Sequence, residues 1–352
     1  MKEKIMLVGL ESFTSVTGGV ITVFNSFIQM LERNGYTVIP QYDTTPEVIN
    51  GAVREKKPDL MIFFFPELLR RSHLSAEFNS IPRILMFHSR PDFYFAMSHG
   101  LERRLKKYYI NTRAQILMES FRTLLPSYIR QEPVYVIPNP VTIPLEKADY
   151  TSEHKKAVFF SRIDPCKGVD LLTEAFELVV KKHNDWSVDI YGDCDVPGYM
   201  DSIKAAIKAK GLENNVIIKG VASNKVLVDY DFCVFPSRFE GFGLGLAESM
   251  AAGLPCIGLE NCSAVNEIIQ DNVNGILCED NAESLAQAIT KLIEDPGLRK
   301  KLGTKARESI SKYSPELVER KWMDLIEAAL TPLPSHGLVP AGKLAKLYRS
   351  AR

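Results

Sequence analysis

Ile5-Met-Leu-Val-Gly9, Val20-Ile-Thr-Val-Phe-Asn-Ser-Phe-Ile-Gln-Met-Leu31 and Tyr36-Thr-Val-Ile-Pro-Gln41 follow one another at the start of the chain, and their patterns decide the fold class. The outer two are short apolar runs of strand length. In the middle one, Val20, Val23, Phe24, Phe27, Ile28 and Leu31 recur with the 3.6-residue period of a helix buried on one face. Gly35 is placed to end that helix. Strand, helix and strand in succession predict a βαβ unit and a mostly parallel sheet.

The same alternation continues outward. Leu60–Phe65, Arg83–His88, Ala114–Met118 and Val134–Ile137 read as further strands. After Pro138-Asn139-Pro140 a turn-rich, charged stretch runs to about Lys155, and the pattern then restarts. Ala157–Phe160, Ser187–Tyr191, Val216–Lys219, Phe232–Phe235, Cys256–Leu259 and Gly275–Cys278 read as strands. Gly168–Lys182, Tyr199–Lys210 and Leu244–Ala252 read as helices between them, and three more helical stretches follow, the last at Pro315–Leu330. The expected organisation is α/β: a first domain over 1–145, a second over 146–313, and a helix over about 314–330 packing back on the first. A basic tail over 331–352 carries Lys343, Lys346, Arg349 and Arg352 without an acid. Two such domains facing each other predict a cleft, with functional residues at the carboxyl ends of strands.

Composition agrees and excludes alternatives. A chain of 352 residues is too long for one core. An apolar fraction of 45% with 24% charged residues is that of a soluble globular protein. Lys plus Arg equals Asp plus Glu, 43 each, so no global field attracts nucleic acid. The six cysteines form no C-x-x-C pair and several sit in apolar runs, as small buried residues of a reducing compartment do. No signal peptide is evident, and the longest strongly apolar run, Leu60 to Phe65, cannot span a bilayer. The expected location is the cytoplasm, at the inner face of the membrane if the basic stretch Arg103, Arg104, Lys106 and Lys107, with its neighbouring aromatics, docks on anionic lipid.

The chemistry concentrates in Phe235-Pro-Ser-Arg-Phe-Glu240-Gly-Phe-Gly-Leu-Gly-Leu-Ala-Glu248-Ser-Met-Ala-Ala-Gly-Leu-Pro255. Gly241, Gly243 and Gly245 let backbone amides approach a ligand where a helix begins, and such amides attract phosphate. Glu240 and Glu248, flanking them, suit the hydroxyls of a sugar. In Ser161-Arg162-Ile-Asp-Pro-Cys-Lys167-Gly168, an Arg and a Lys on one loop can clamp a diphosphate and stabilise it as it departs. Thr17-Gly18-Gly19-Val20 places two glycines before a helix, again with amides free to face an anion. His88 closes a strand, and Asp193-Cys194-Asp195 follows another. The latter is formally an Asp-x-Asp pair, a pattern able to chelate a divalent cation.

Over about residues 4 to 330 these segments, in this order, resemble the retaining family 4 glycosyltransferases of GT-B fold, whose signature is two glutamates with seven residues between them. The resemblance implies two facing Rossmann-like domains and transfer of a hexose or N-acetylhexosamine from a nucleotide sugar. The donor is expected to be UDP-linked and the acceptor a glycan or lipid-linked glycan in cell-surface polysaccharide biosynthesis. It implies that Glu240 and His88 contact the donor sugar and that Glu248 holds the ribose. The amides of Phe242, Gly243 and Leu244, with Gly18 and Gly19, would face the sugar and diphosphate. Arg162 and Lys167 would stabilise the leaving group without a metal ion or other cofactor. Asn139 also matches the family pattern, in a structural role, and Glu267 matches it as a helix residue near the site without a catalytic role. The competing expectations are a nucleotide-sugar epimerase of the same fold and a non-catalytic partner subunit.

Overall fold

The computed structural model describes residues 2–9, 19–71, 78, 80–109, 111–151 and 153–331; Gly18 and the basic tail lie outside them. Two compact units result, one of Met1–Met86, Ser98–Ala114 and Met323–Arg352, the other of Phe87–Met97 and Gln115–Trp322.

The first six strands are β1 (Lys4–Val8), β2 (Thr37–Gln41), β3 (Leu60–Phe63), β4 (Arg83–Phe87), β5 (Thr112–Ile116) and β6 (Val134–Val136). They form one sheet in the order β2-β1-β3-β4-β5-β6. β1 runs parallel to both β2 and β3, and β3 to β4. Every residue of β3 and β4 is buried, because helices cover both faces of such a sheet and leave no side for polar alternation. Pro40 is tolerated because β2 is an edge strand with no second neighbour awaiting its missing N–H.

Helix α1 (Gly19–Arg33) links β1 to β2. It ends as its glycine predicts: Gly35 has φ +93°, its amide donates to Glu32 O at 3.0 Å, and that of Tyr36 donates to Leu31 O at 3.1 Å. This paired closure satisfies carbonyls that the last turn leaves open. Helices α2 (Pro46–Lys56), α3 (Pro66–Arg71), α4 (Pro91–Met97) and α5 (Leu101–Tyr108) follow. Basic α5 turns Leu101 and Leu105 into the core and exposes Arg103 and Lys106. The leucines of the expected membrane-docking stretch are therefore not available to a bilayer. The side chains of Arg104 and Lys107 lie outside the described residues. Among the described residues no helix is long and apolar enough to cross a membrane.

After the short α6 (Ser127–Arg130), six more strands make the second sheet: β7 (Lys156–Phe160), β8 (Ser187–Tyr191), β9 (Val216–Gly220), β10 (Phe232–Phe235), β11 (Cys256–Leu259) and β12 (Gly275–Cys278). Their order is β12-β11-β10-β7-β8-β9, all parallel. Counted from β7 as strand one, this is the 3-2-1-4-5-6 order of dinucleotide-binding sheets. The chain winds one way through β7, β8 and β9, then returns to the middle and winds the other way from β10. Connections on either side of that reversal part company, which opens a crevice beyond the carboxyl ends of β7 and β10. Topology alone thus points to the loops that begin at Ser161 and Pro236. Around the sheet lie α7 (Val169–Val179), α8 (Tyr199–Ala209), α9 (Leu244–Ala251), α10 (Val265–Ile268), α11 (Ala282–Glu294), α12 (Pro296–Ile310) and α13 (Pro315–Leu330).

Candidate nucleotide-sugar site

The loop after β7 descends through Ser161, Arg162 and Ile163 to a 3-10 turn, Pro165–Lys167, and then enters α7. Asp164 opens the turn, its Oδ1 accepting from the Cys166 amide at 2.9 Å, and proline starts it with φ already set. The neighbouring loop braces this one. The Ile163 amide donates to Asp193 O at 2.7 Å, and Gly192 lies so close that a Cβ there would stand 1.9 Å from Ser161 O. Arg162 is exposed and Lys167 is buried, so two cations five positions apart are presented quite differently.

The loop after β10 is laid against the first one. The Arg238 amide donates to Cys166 O at 2.8 Å. Its guanidinium reaches Asp170 at 3.1 and 3.2 Å and Asp280 at 3.0 and 3.1 Å, two carboxylates that hold it above its usual pKa against the opposing effect of burial. Gly168, at φ +75°, is required twice over, since a Cβ would lie 2.1 Å from Pro236 O. These seams bring Lys167 Nζ to 2.7 Å from Glu240 Oε1 and 3.1 Å from Phe239 O, with the two side chains only 8% and 9% exposed. The sequence gives each residue a separate ligand; the structure pairs them.

Past Glu240 the chain turns through Gly241 and Gly243, the latter at φ +89°, into α9. No side chain caps this helix, and the first amide bonded within it is that of Ala247, to Gly243 O at 3.0 Å. The amides of Leu244, Gly245 and Leu246 come before that bond, at the positive end of the helix dipole. A Cβ on Gly245 would lie 1.9 Å from Phe160 O, so the helix start is pressed onto the end of β7, immediately before Arg162. Phe242 turns its ring into the core, edge-on to Tyr313 at 5.2 Å, which leaves its amide as the part a ligand can use.

His88 leaves β4 toward the same loop: its carbonyl lies 2.6 Å from where a Gly241 Cβ would be. Burial lowers the imidazole pKa to about 3, so at neutral pH the ring acts through hydrogen bonds and not as a cation. Next to it Arg90 pairs with Asp92 at 2.7 Å and lies over the Phe239 ring, which Phe93 also meets at 5.6 Å. Gly19 is the first residue of α1.

Residues 145–309 match the family model described as glycosyl transferases group 1. That stretch, just under half of the chain, is similar to group 1 glycosyltransferases. It is 31% identical over 289 residues to a Staphylococcus aureus poly(ribitol-phosphate) alpha-N-acetylglucosaminyltransferase, covering 78% of this chain and 57% of that protein. To a Bacillus subtilis poly(glycerol-phosphate) alpha-glucosyltransferase it is 26% identical, covering 77% and 44%. The chain thus spans about half the length of these curated relatives. A crystal structure of a TarM variant from S. aureus, in complex with fondaparinux, alpha-GlcNAc-glycerol and UDP, superposes with a TM-score of 0.63 at 29% identity, over 78% of this chain and 55% of that one. Anabaena HepE shares the fold at a TM-score of 0.73 and 17% identity, over 93% and 100%. The two parallel six-stranded sheets are those of the GT-B class.

Within the matched stretch, Glu248 sits half-buried on α9, where Asn224 Nδ2 donates to its Oε1 at 3.2 Å. Burial raises its pKa, and the Asn224 bond only partly opposes this. The folded protein therefore holds the Glu248 proton more tightly than the unfolded chain does. Its ionisation detracts from stability above the raised value, and the penalty disappears once pH falls below the ordinary 4.5. Glu248→Gln is expected to melt up to about 4 °C above the parent at neutral pH, with the gap closing toward pH 4. A melting point below the parent's at neutral pH would contradict this.

Glu267 has a structural task. Its carboxylate accepts from the Glu119 and Ser120 amides at 2.8 and 2.9 Å, closing the start of a 3-10 turn, Glu119–Leu124. Asn139 is half-buried. Asp193 Oδ1 accepts from the Cys194 amide, and Asp195 is exposed. Among the described residues no group of three or more His, Cys, Asp or Glu is placed to hold a metal ion. Sequence reasoning missed Arg238 and Asn224. Their carboxylate partners lie 68, 42 and 24 positions away, and no local pattern joins them.

Proposed function

We propose that this chain is a retaining glycosyltransferase that moves a hexose or N-acetylhexosamine from a UDP-sugar to a hydroxyl of a cell-surface polymer. What supports the reading is that the loop bearing exposed Arg162 and buried Lys167 begins where the end of β7 packs on the start of α9, which has no side-chain cap, a combination suited to one pyrophosphate. Glu240 and Glu248 supply acceptors for sugar and ribose hydroxyls on either side. The relatives named for α-linked products on polyol-phosphate chains support both the donor class and the acceptor class. UDP in the TarM complex supports the nucleotide.

Chemically, the C1–O bond to the diphosphate breaks as an acceptor oxygen approaches the same face. The departing phosphate oxygen takes the acceptor proton, so configuration is kept without an enzyme nucleophile. Negative charge grows on the β-phosphate, where Arg162, Lys167 and the α9 amides would stabilise it. These two cations supply the charge that a divalent ion would otherwise bring, so turnover should persist in EDTA. Arg162→Ala is expected to lower transfer by about 100-fold, with stability within about 0.5 kcal/mol of the parent because the side chain is exposed. The measurement is UDP release from a panel of UDP-sugars with polyol-phosphate acceptors. Parental rates in the variant would remove Arg162 from the mechanism. Isomerised donor without acceptor would mean epimerisation instead.

A further inference from the structure

Lys167 is not a cation waiting in solvent. Its Nζ already lies 2.7 Å from Glu240 Oε1 and 3.1 Å from Phe239 O, and neither side chain is more than 9% exposed. We propose that Glu240 is the resident counter-ion of Lys167, which a diphosphate must displace, and that this pair makes the site favour the complete sugar nucleotide over the nucleoside diphosphate product. The inference rests on the donor reading given above.

The argument is electrostatic. A diphosphate drawn to Lys167 brings negative charge toward a carboxylate in a nearly dry site, where water and salt screen little. If Lys167 turns to the phosphate, Glu240 is left a buried charge without its partner, which is strongly unfavourable. A sugar nucleotide offsets this because its hexose hydroxyls can donate to the freed carboxylate. A bare nucleoside diphosphate has no hexose to offer. The same pair that orders Lys167 before donor arrival therefore weakens retention of product after transfer. Arg162 is exposed, so solvent screens its interactions with nearby carboxylates such as Asp164 and the competition there is weaker.

Removing the charge on Glu240 should then tighten product binding while it harms transfer, two effects of opposite sign. A merely structural glutamate would weaken both. Calorimetric titration with UDP tests this on the parent, Glu240→Gln, Lys167→Met and the double variant. Glu240→Gln is expected to bind UDP about tenfold tighter and to transfer sugar about 100-fold more slowly. In the Lys167→Met background the gain from Glu240→Gln should vanish, because no cation is left to release. If Glu240→Gln does not fold, Glu240→Asp, which withdraws the carboxylate from Lys167, should still bind UDP tighter than the parent. A parent that binds UDP while Glu240→Gln binds it no better, or a gain that survives without Lys167, overturns the inference. A parent that binds no UDP overturns the functional reading and this inference with it.

Discussion

Gly245→Ala is expected to lose about 3 kcal/mol or more of stability, about 6–12 °C in melting temperature, and with it nucleotide binding. The added methyl would lie 1.9 Å from Phe160 O and 3.1 Å from its carbonyl carbon, so it meets backbone and not a side chain that could swing away. Relief requires either the end of β7 or the start of α9 to move, and each carries part of the site. A control isolates the cause. Gly51, in α2, has nothing within 4 Å of an added Cβ, and alanine is the better helix former. Gly51→Ala should therefore stabilise by about 0.5–1 kcal/mol. Thermal melting and UDP titration of the two variants give the comparison. Equal melting points would show that the close approach at Gly245 is relieved at no energetic penalty.

Lys167→Met should have the largest effect on catalysis and a stability effect besides. Transfer is expected to fall by about 100- to 1,000-fold, the range seen when one group stabilising a developing oxyanion is removed. Stability should fall by about 3–5 kcal/mol, because Glu240, 2.7 Å away and 9% exposed, is left without its cation. The pairing distinguishes Lys167 from Arg162, two cations that share one loop. Only Arg162 is exposed. Adding Glu240→Gln to Lys167→Met should recover most of the stability and none of the transfer. Recovery of transfer in the double variant would mean that Lys167 serves only to neutralise Glu240.

The strands were legible because parallel sheets covered on both faces need unbroken apolar runs, and Leu60–Phe63, Phe232–Phe235 and Cys256–Leu259 are such runs bounded by turn residues. Each of the twelve strand ranges lies within two residues of its reading, and the differences fall at the ends, where pairing rather than composition sets the limit. The glutamate motif and cationic loop stood out in the sequence, and the structure lays the two loops side by side. What sequence could not supply was adjacency. Lys167 and Glu240 are 73 positions apart and meet because β10 returns to pair with β7. The same limit hid the Asp170 and Asp280 partners of Arg238. Nor does the sequence say what lies against the apolar face of α5, where Leu101 and Leu105 are buried in the protein.

Three contacts around the candidate site are backbone oxygens lodged where a Cβ would be: Pro236 O at Gly168, Ser161 O at Gly192 and Phe160 O at Gly245. Main chain therefore sets the spacing of these loops, and hydrogen is the sole substituent the three positions admit. Side chains elsewhere along the rim can vary without shifting that frame. Any redesign of side chains on these loops therefore has to leave those three glycines in place.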